Sequence, residues 1–408
     1  MTPYLLMAVL YFSLAGLMAL DASLVNWQIL PWFNGMRWLR IHFITLGILT
    51  QLLYGILPLI VAMRYRLPKP RIRWDIWATL NGGIMLLLIG IPLVNSVPIF
   101  AGGTLIFIAT ILLIIQLAQM KQTSNLPEGE ATAHNGRKFY IAGLGYFLLG
   151  IILGTGMWIG WMEPLRVAVP VETHIHANNW GLMSLVFAGL LIDMYPQWFK
   201  RPFPYPKAVN PIFWLMTVGA FGLIFGPWFA SQTLLVGGLV LHLTATIWLL
   251  YAVIKPIWGQ WSDWTVGIAH LIGSYFWILA PVLVAPFVLL GAPGLPGPVI
   301  EATAPQALIY GWLLQFAFAA LPYALVRLFQ PEKIPKLGGS WLSFWTINTG
   351  GIFLWASIFI APISGILAGI AYMLWMIAML PILAQSWRIV RGGLSHFEDE
   401  SLAVANGD

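Results

Sequence analysis

Apolar stretches of about 20 residues recur along almost the whole chain, and each is long enough to cross roughly 30 Å of hydrocarbon as a helix. Twelve can be counted, over 3–21, 39–63, 74–94, 97–119, 138–161, 174–198, 211–230, 232–254, 265–290, 305–328, 341–362 and 365–387. They run continuously rather than in short alternations, so helices are expected and barrel strands are not. With 60% hydrophobic and only 8% charged residues in 408, the chain falls outside the range of soluble domains. The predicted class is all-α integral membrane, with twelve transmembrane helices in a single domain over 1–392. A polar cytoplasmic tail, 393–408, follows and is expected to be disordered. The first apolar run has no basic lead-in and no small-residue cleavage site before Asp21, so it reads as a retained helix and not a signal peptide. The absence of cysteine removes disulfides, thiolate metal sites and covalent c-type haem attachment.

A net charge of +6 raises the question of nucleic acid, and the placement of the charges answers it. Seventeen of the 20 Lys and Arg residues lie in loops or helix ends reached after an even number of crossings, including the run "RYRLPKPRIR" at 64–73. The positive-inside rule assigns that side to the cytoplasm. The chain is therefore expected to be a multi-pass protein of a bacterial-type inner membrane, with both termini inside. Its expected partner is the lipid bilayer, not nucleic acid. Arg37, Arg40 and Arg166 alone remain outside.

Three of the apolar runs echo one another. The second reads "HFITLGILTQLLYGILP", the sixth "HANNWGLMSLVFAGLLIDMYP" and the tenth "QALIYGWLLQFAFAALP". Each opens on a polar residue (His42, His176, Gln306), has glycine five positions on (Gly47, Gly181, Gly311), then a small residue (Gly55, Gly189, Ala319) and a proline (Pro58, Pro196, Pro322). The second and tenth also share Gln51 and Gln315. The spacing predicts three pseudo-threefold four-helix repeats, at approximately 1–120, 137–255 and 264–390. Close packing at small residues explains the glycines alone, but not the polar leads.

Of seven histidines, His134 and His396 fall in polar segments and are expected to be solvated. His42, His174, His176, His242 and His270 lie in or beside membrane helices, where an ionisable group is costly and marks a candidate site. For each the plain alternative is a neutral ring bonded to a neighbouring helix. His42 and His176 sit at matched depth near the outer surface, as two axial ligands of one haem must. His174 and His176 point roughly 200° apart on a helix and must address different neighbours, with Glu172 as a candidate acceptor to orient one ring. His242 and His270 lie at different depths and are candidates for a second metal or cofactor. Arg37, Arg40 and Arg166 match the propionates of a b-type haem, or else snorkel at the interface. Asp193 is expected to be interfacial, and no buried carboxylate suited to a proton pump stands out. The 22 tryptophans are expected mostly near helix ends, and "GAPGLPGP" at 291–298 reads as an external turn-rich loop.

These features resemble the haem-copper oxidase subunit I superfamily, through the twelve helices, the three repeats, "HFITLG" in the second helix and "HIHANNWG" in the sixth. The likeness is nearest to the NnrS family of nitric-oxide-response membrane proteins and to subunit-I-like proteins related to C-type oxidases, whose ninth-helix region is similar to "AHLIGSYFWIL". The resemblance implies haem b held by His42 and by His176 with His174. Where respiratory members have histidines in the tenth helix, this chain has Gln306. Its seventh helix has none, so the family's copper site is not carried over. The leading expectation is a non-pumping haem-binding membrane protein that handles nitric oxide or passes electrons, with a redox donor protein or quinone and a gas such as NO or O2 as partners. Two alternatives use the same residues. One is an oxidoreductase acting on O2 or NO, a minimal oxidase or nitric oxide reductase with a second haem or a non-haem iron or copper. The other is a transporter with a histidine relay, whose usual inverted repeats are missing from the sequence.

Overall fold

The structure, a computed structural model, describes residues 2–33, 36–122 and 136–406, apart from the side chains of 2, 122, 289 and 396–406. His134 and the side chain of His396 lie outside the described residues. Regular structure among the described residues is entirely helical. In chain order the helices are α1 (Pro3–Asn26), α2 (Met36–Arg64), the shorter α3 (Trp74–Gly90), α4 (Ser96–Lys121), α5 (Arg137–Ile159) and α6 (Pro170–Asp193). They continue with α7 (Pro206–Trp228), α8 (Gln232–Ile257), α9 (Val266–Val288), α10 (Gly297–Phe329), α11 (Trp341–Phe359) and α12 (Ala361–Ser395). All but α3 are long and apolar enough to cross a membrane, which makes 11 among the described residues, and the chain is a multi-pass membrane protein in its build.

Several ends differ from the sequence expectation, and proline or glycine accounts for most of them. α3 is predicted over 74–94 but stops after 17 residues, because Gly90 and Pro92 end it in a turn that puts Val94 at φ 50°. α6 starts at Pro170, in the position where a missing N–H does no harm. It ends at Asp193, and Tyr195–Phe199 forms a separate turn closed by Lys200 at φ 55°. α9 breaks between Val266–Gly273 and Phe276–Leu289. α10 begins at Gly297 rather than 305. The expected disordered tail is helical in its backbone as far as Asn406. An existing helix propagates into good helix formers such as Glu398 and Glu400 without a new nucleus. Trp277, Trp312 and Trp375, which lie well inside the expected spans, are buried.

The three helices that echo in sequence are also alike in structure. Their most apolar windows are 78, 83 and 94% buried for α2, α6 and α10, against 28–56% for the other long helices. Each contains a seven-residue π-helical segment beside its polar lead: Phe43–Leu49 after His42, Ala177–Met183 after His176, and Leu308–Leu314 shortly after Gln306. Each segment contains the shared glycine, and each glycine lies under an aromatic ring of an earlier helix. A Cβ on Gly47 would come within 2.6 Å of Tyr11 of α1, one on Gly181 within 2.5 Å of Tyr146 of α5, and one on Gly311 within 2.4 Å of Trp277 of α9. Gln51 and Gln315, just beyond two of the segments, are both fully buried.

The chain divides into two compact units, and the boundary falls within α2. The terminal unit comprises Met1–Gly55 and Trp264–Asp408, and the central unit Ile56–Asp263. In the terminal unit Trp277 is gripped between Gly311 and Gly351 and donates its Nε1 to Asn348 at 2.7 Å. In the central unit α7 and α8 meet backbone to backbone at Gly219, Gly222, Gly226 and Gly238, the small-residue packing that lipid favours.

Asp193, expected at the interface, is buried in the central unit. It accepts from the backbone N–H of Gly136 at 2.7 Å and from the Tyr140 hydroxyl at 2.9 Å, and pairs with Arg64 at 3.3 Å. The carboxylate thus ties the end of α6 to the start of α5 and the end of α2. Asp193→Ala leaves two donors and a guanidinium without their acceptor. It should destabilise the protein by on the order of 3 kcal/mol, seen as a lower thermal midpoint in detergent, whereas Asp75→Ala, with its carboxylate half-exposed, should change it little.

Candidate functional site

Glycines on α5 create the setting for the histidines of α6. "Gly150-Ile-Ile-Leu-Gly154" leaves a groove on α5, and a Cβ on Gly154 would reach within 2.7 Å of the His174 ring. His174 lies in that groove and donates Nδ1–H to the Gly150 carbonyl at 2.9 Å. Asn178, one turn on, donates to the His174 carbonyl at 2.8 Å. His176 turns to the other neighbour and donates Nδ1–H to the Leu223 carbonyl of α7 at 2.6 Å. The divergence expected of positions i and i+2 is therefore observed. Glu172 Oε1 is 3.8 Å from His176 Nε2, beyond hydrogen-bond distance, so a backbone carbonyl and not Glu172 orients this ring. His242 of α8 is buried and meets Trp180 edge-on at 5.2 Å, while Trp180 also faces His176 at 6.4 Å.

In the terminal unit His42 donates Nδ1–H to the Trp38 carbonyl one turn back at 2.8 Å and stacks on the Trp38 ring, with centroids 4.1 Å apart. His42, His174 and His176 thus share one arrangement. A carbonyl can only accept, so the proton is on Nδ1 and the lone pair on Nε2, the nitrogen presented to a metal by a histidine oriented in this way. His270 is built the other way round. Its Nε2–H donates to the Ser340 carbonyl at 3.3 Å, and its ring lies edge-on to Phe318 and Phe344. Gly339, at φ 117°, gives the ring room, since a Cβ there would come within 2.5 Å of it. His270 thereby holds the residue that caps α11. Among the described residues no three His, Asp or Glu side chains gather in a group that could hold a metal ion.

The three arginines expected outside fall in different units. Arg166 is exposed in the central unit, in a turn where its own φ is 52°. Arg37 and Arg40 lie together in the terminal unit, lining a cavity of about 290 Å³ with Gln306, Thr303, Ser357 and Tyr372. Arg37 donates to the Ala302 carbonyl at 2.6 Å. Arg40 is only 4% exposed, stands over the Tyr372 ring at 4.7 Å, and its Nε has no hydrogen-bond partner among the described residues. A desolvated cation–π contact is worth about 2 kcal/mol, less than the several kcal/mol of burying an unpaired charge. The ring alone does not satisfy this guanidinium.

Sequence reasoning missed Tyr372 and Ser357, which lie in apolar runs with no motif around them, and Thr303, which lies just before one. It also missed the Gly150 and Leu223 carbonyls, which have no side-chain signature, although the GxxxG pattern at 150–154 marks where a close approach can occur. Filling that groove should displace His174. Gly154→Leu is expected to lower stability by about 1–3 kcal/mol, while Gly145→Leu, with nothing within 4 Å of its Cβ, should be tolerated; thermal unfolding of the two variants in detergent compares them directly. Neither a family model nor a curated protein matches this chain, so its own geometry carries the functional reading.

Proposed function

We propose that the chain is a non-pumping, haem-binding protein of the bacterial inner membrane type that handles nitric oxide or passes electrons. Its described helices are read as twelve crossings, α3 included, in three four-helix repeats with both termini cytoplasmic. The shared π-helical segments of α2, α6 and α10 support the repeats, as do the aromatic rings seated on Gly47, Gly181 and Gly311. A 17-residue helix lies at the short end of the spanning range, which supports α3 as a crossing.

The observation that carries the haem reading is the common state of His42 and His176. Each leads a π-helical segment, and each ring is fixed through Nδ1 by a backbone carbonyl, the bond that sets the tautomer and aims the opposite nitrogen. Such segments are frequent at functional sites. His174 shares the state and is the third candidate ligand. The terminal unit also holds buried polar atoms without partners among the described residues, on Arg40, Tyr275, Gln306, Tyr310 and Gln315. Each is costly unless something satisfies it, which supports a bound polar group there. Haem, when bound, supplies a one-electron couple and an iron able to take a small ligand. The chain's own residues hold the imidazoles in the ligating tautomer, exclude water with the aromatic residues around them, and keep the surroundings apolar.

The test is the reduced-minus-oxidised optical spectrum of the protein purified in detergent, with and without NO. Wild type is expected to show a haem spectrum, His42→Ala and His176→Ala to lose most of it, and Arg166→Ala to keep it. An unchanged spectrum in both histidine variants, or no haem retained by wild type supplied with it, would overturn the reading.

A further inference from the structure

Arg40 and the cavity beside it carry an inference that does not depend on haem. The cavity belongs wholly to the terminal unit, where α1 and α11 end and α2, α10 and α12 begin. Two guanidinium groups line it and no carboxylate does; Glu301, next in sequence to the Ala302 that Arg37 holds, is exposed and not among the lining residues. Arg40 is more than nine-tenths buried and lines the cavity, with its Nε lacking a partner among the described residues. The Gln306 side chain lines it too, also about nine-tenths buried, and its Oε1 lacks a partner. Thr303, Ser357, Ser364 and Asn26 complete a polar wall.

We propose that this cavity is a binding site for an oxyanion, a carboxylate or phosphate group, with Arg40 as its buried anchor and Arg37 as the outer cation. The reasoning is one of charge and reach. A guanidinium inside a protein is stable when paired, and planar oxyanions match its fork of donors. The Tyr372 ring covers one face of Arg40 at 4.7 Å, leaving the edge with its N–H donors to make that pair. A cavity of about 290 Å³ has the volume of about ten water molecules at 30 Å³ each, more than a halide needs and enough for a small organic acid or a headgroup phosphate. Gln306 Nε2 can donate to the anion, and the hydroxyls of Thr303 and Tyr372 can hold polar substituents. Gln306 stands where the echoing helices have His42 and His176, so this crossing presents an uncharged amide to the anion in place of an imidazole.

The site is tested by calorimetric titration of the full-length protein in detergent with acetate, succinate and inorganic phosphate, each against chloride at matched ionic strength. Saturable binding of at least one oxyanion is expected, with affinity falling on the order of tenfold or more in Arg40→Gln, less in Arg37→Gln, and unchanged in Arg166→Gln. Size-exclusion profiles verify folding, and Tyr372→Phe, which keeps the ring over Arg40, provides a second variant should Arg40→Gln fail to fold; it is expected to retain the site with weaker binding. Repeating the titration in nanodiscs with and without phosphatidylglycerol separates the two sources of the anion. If the lipid blocks phosphate binding in wild type, a headgroup is the occupant; if it does not, the ligand is a soluble anion. No saturable binding in detergent or in lipid, or equal binding in wild type and Arg40→Gln, overturns the proposal. The titration is run on protein free of haem, so that no propionate occupies the cavity and failure of this proposal is distinguishable from failure of the haem reading.

Discussion

The buried histidines of this protein answer to one constraint: hydrocarbon offers no hydrogen bonds, so a buried donor is costly unless it finds a partner. Four imidazoles meet it in the same way, by donating to the backbone carbonyls of Trp38, Gly150, Leu223 and Ser340. A helical carbonyl has two lone pairs and uses one for its own helix, so it can take a second donor without breaking the turn. The result is neutral rings with fixed tautomers, which are inexpensive to bury and chemically committed. Three present Nε2 and one, His270, presents Nδ1. This difference separates a residue that holds a chain turn from residues fit to meet a ligand.

Reaching a carbonyl on another helix requires backbones to come close, and glycine provides the distance. His174 meets Gly150 O because Gly150 and Gly154 have no side chains. The same economy of volume recurs where Tyr11, Tyr146 and Trp277 press on the glycines of the three π-helical segments. Bulky rings and bare backbone thus alternate across these contacts, and dispersion over the ring faces replaces the hydrophobic drive that lipid does not supply. Asp193 solves the same problem for a charge, with three partners drawn from the start of α5 and the end of α2.

Much of the architecture was legible because hydropathy and helix length are local properties. The helical class and the position of each apolar run follow from composition in windows, and the helices that echo in sequence, α2, α6 and α10, are also the most buried of the long ones. What was not legible depends on partners far along the chain. Asp193 reads as interfacial until Gly136 and Tyr140 are seen beside it. Glu172 is a candidate acceptor for one of the two rings in sequence, yet His176 bonds the Leu223 carbonyl, and no side chain announces a carbonyl. Tyr372 joins Arg40 from more than 300 positions away. Helix ends shifted where proline and glycine outweighed hydropathy, as at Gly90 and Pro170, and α10 begins earlier, at Gly297, through residues ahead of the apolar run.

The π-helical segments carry a consequence for how such a chain can vary. A π turn contains more residues than an α turn, so its register is set by residue count rather than by side-chain identity. Deleting a single residue within 43–49, 177–183 or 308–314 can be absorbed as the π turn relaxes to an α turn, whereas inserting one there adds a residue the turn cannot take up and rotates everything downstream on that helix by about 100°. Gln51, or Leu185, or Gln315 would then swing away from its present surroundings. Insertion is thereby confined to the connections between helices, while within the segments the rings over Gly47, Gly181 and Gly311 leave those positions no room for a side chain.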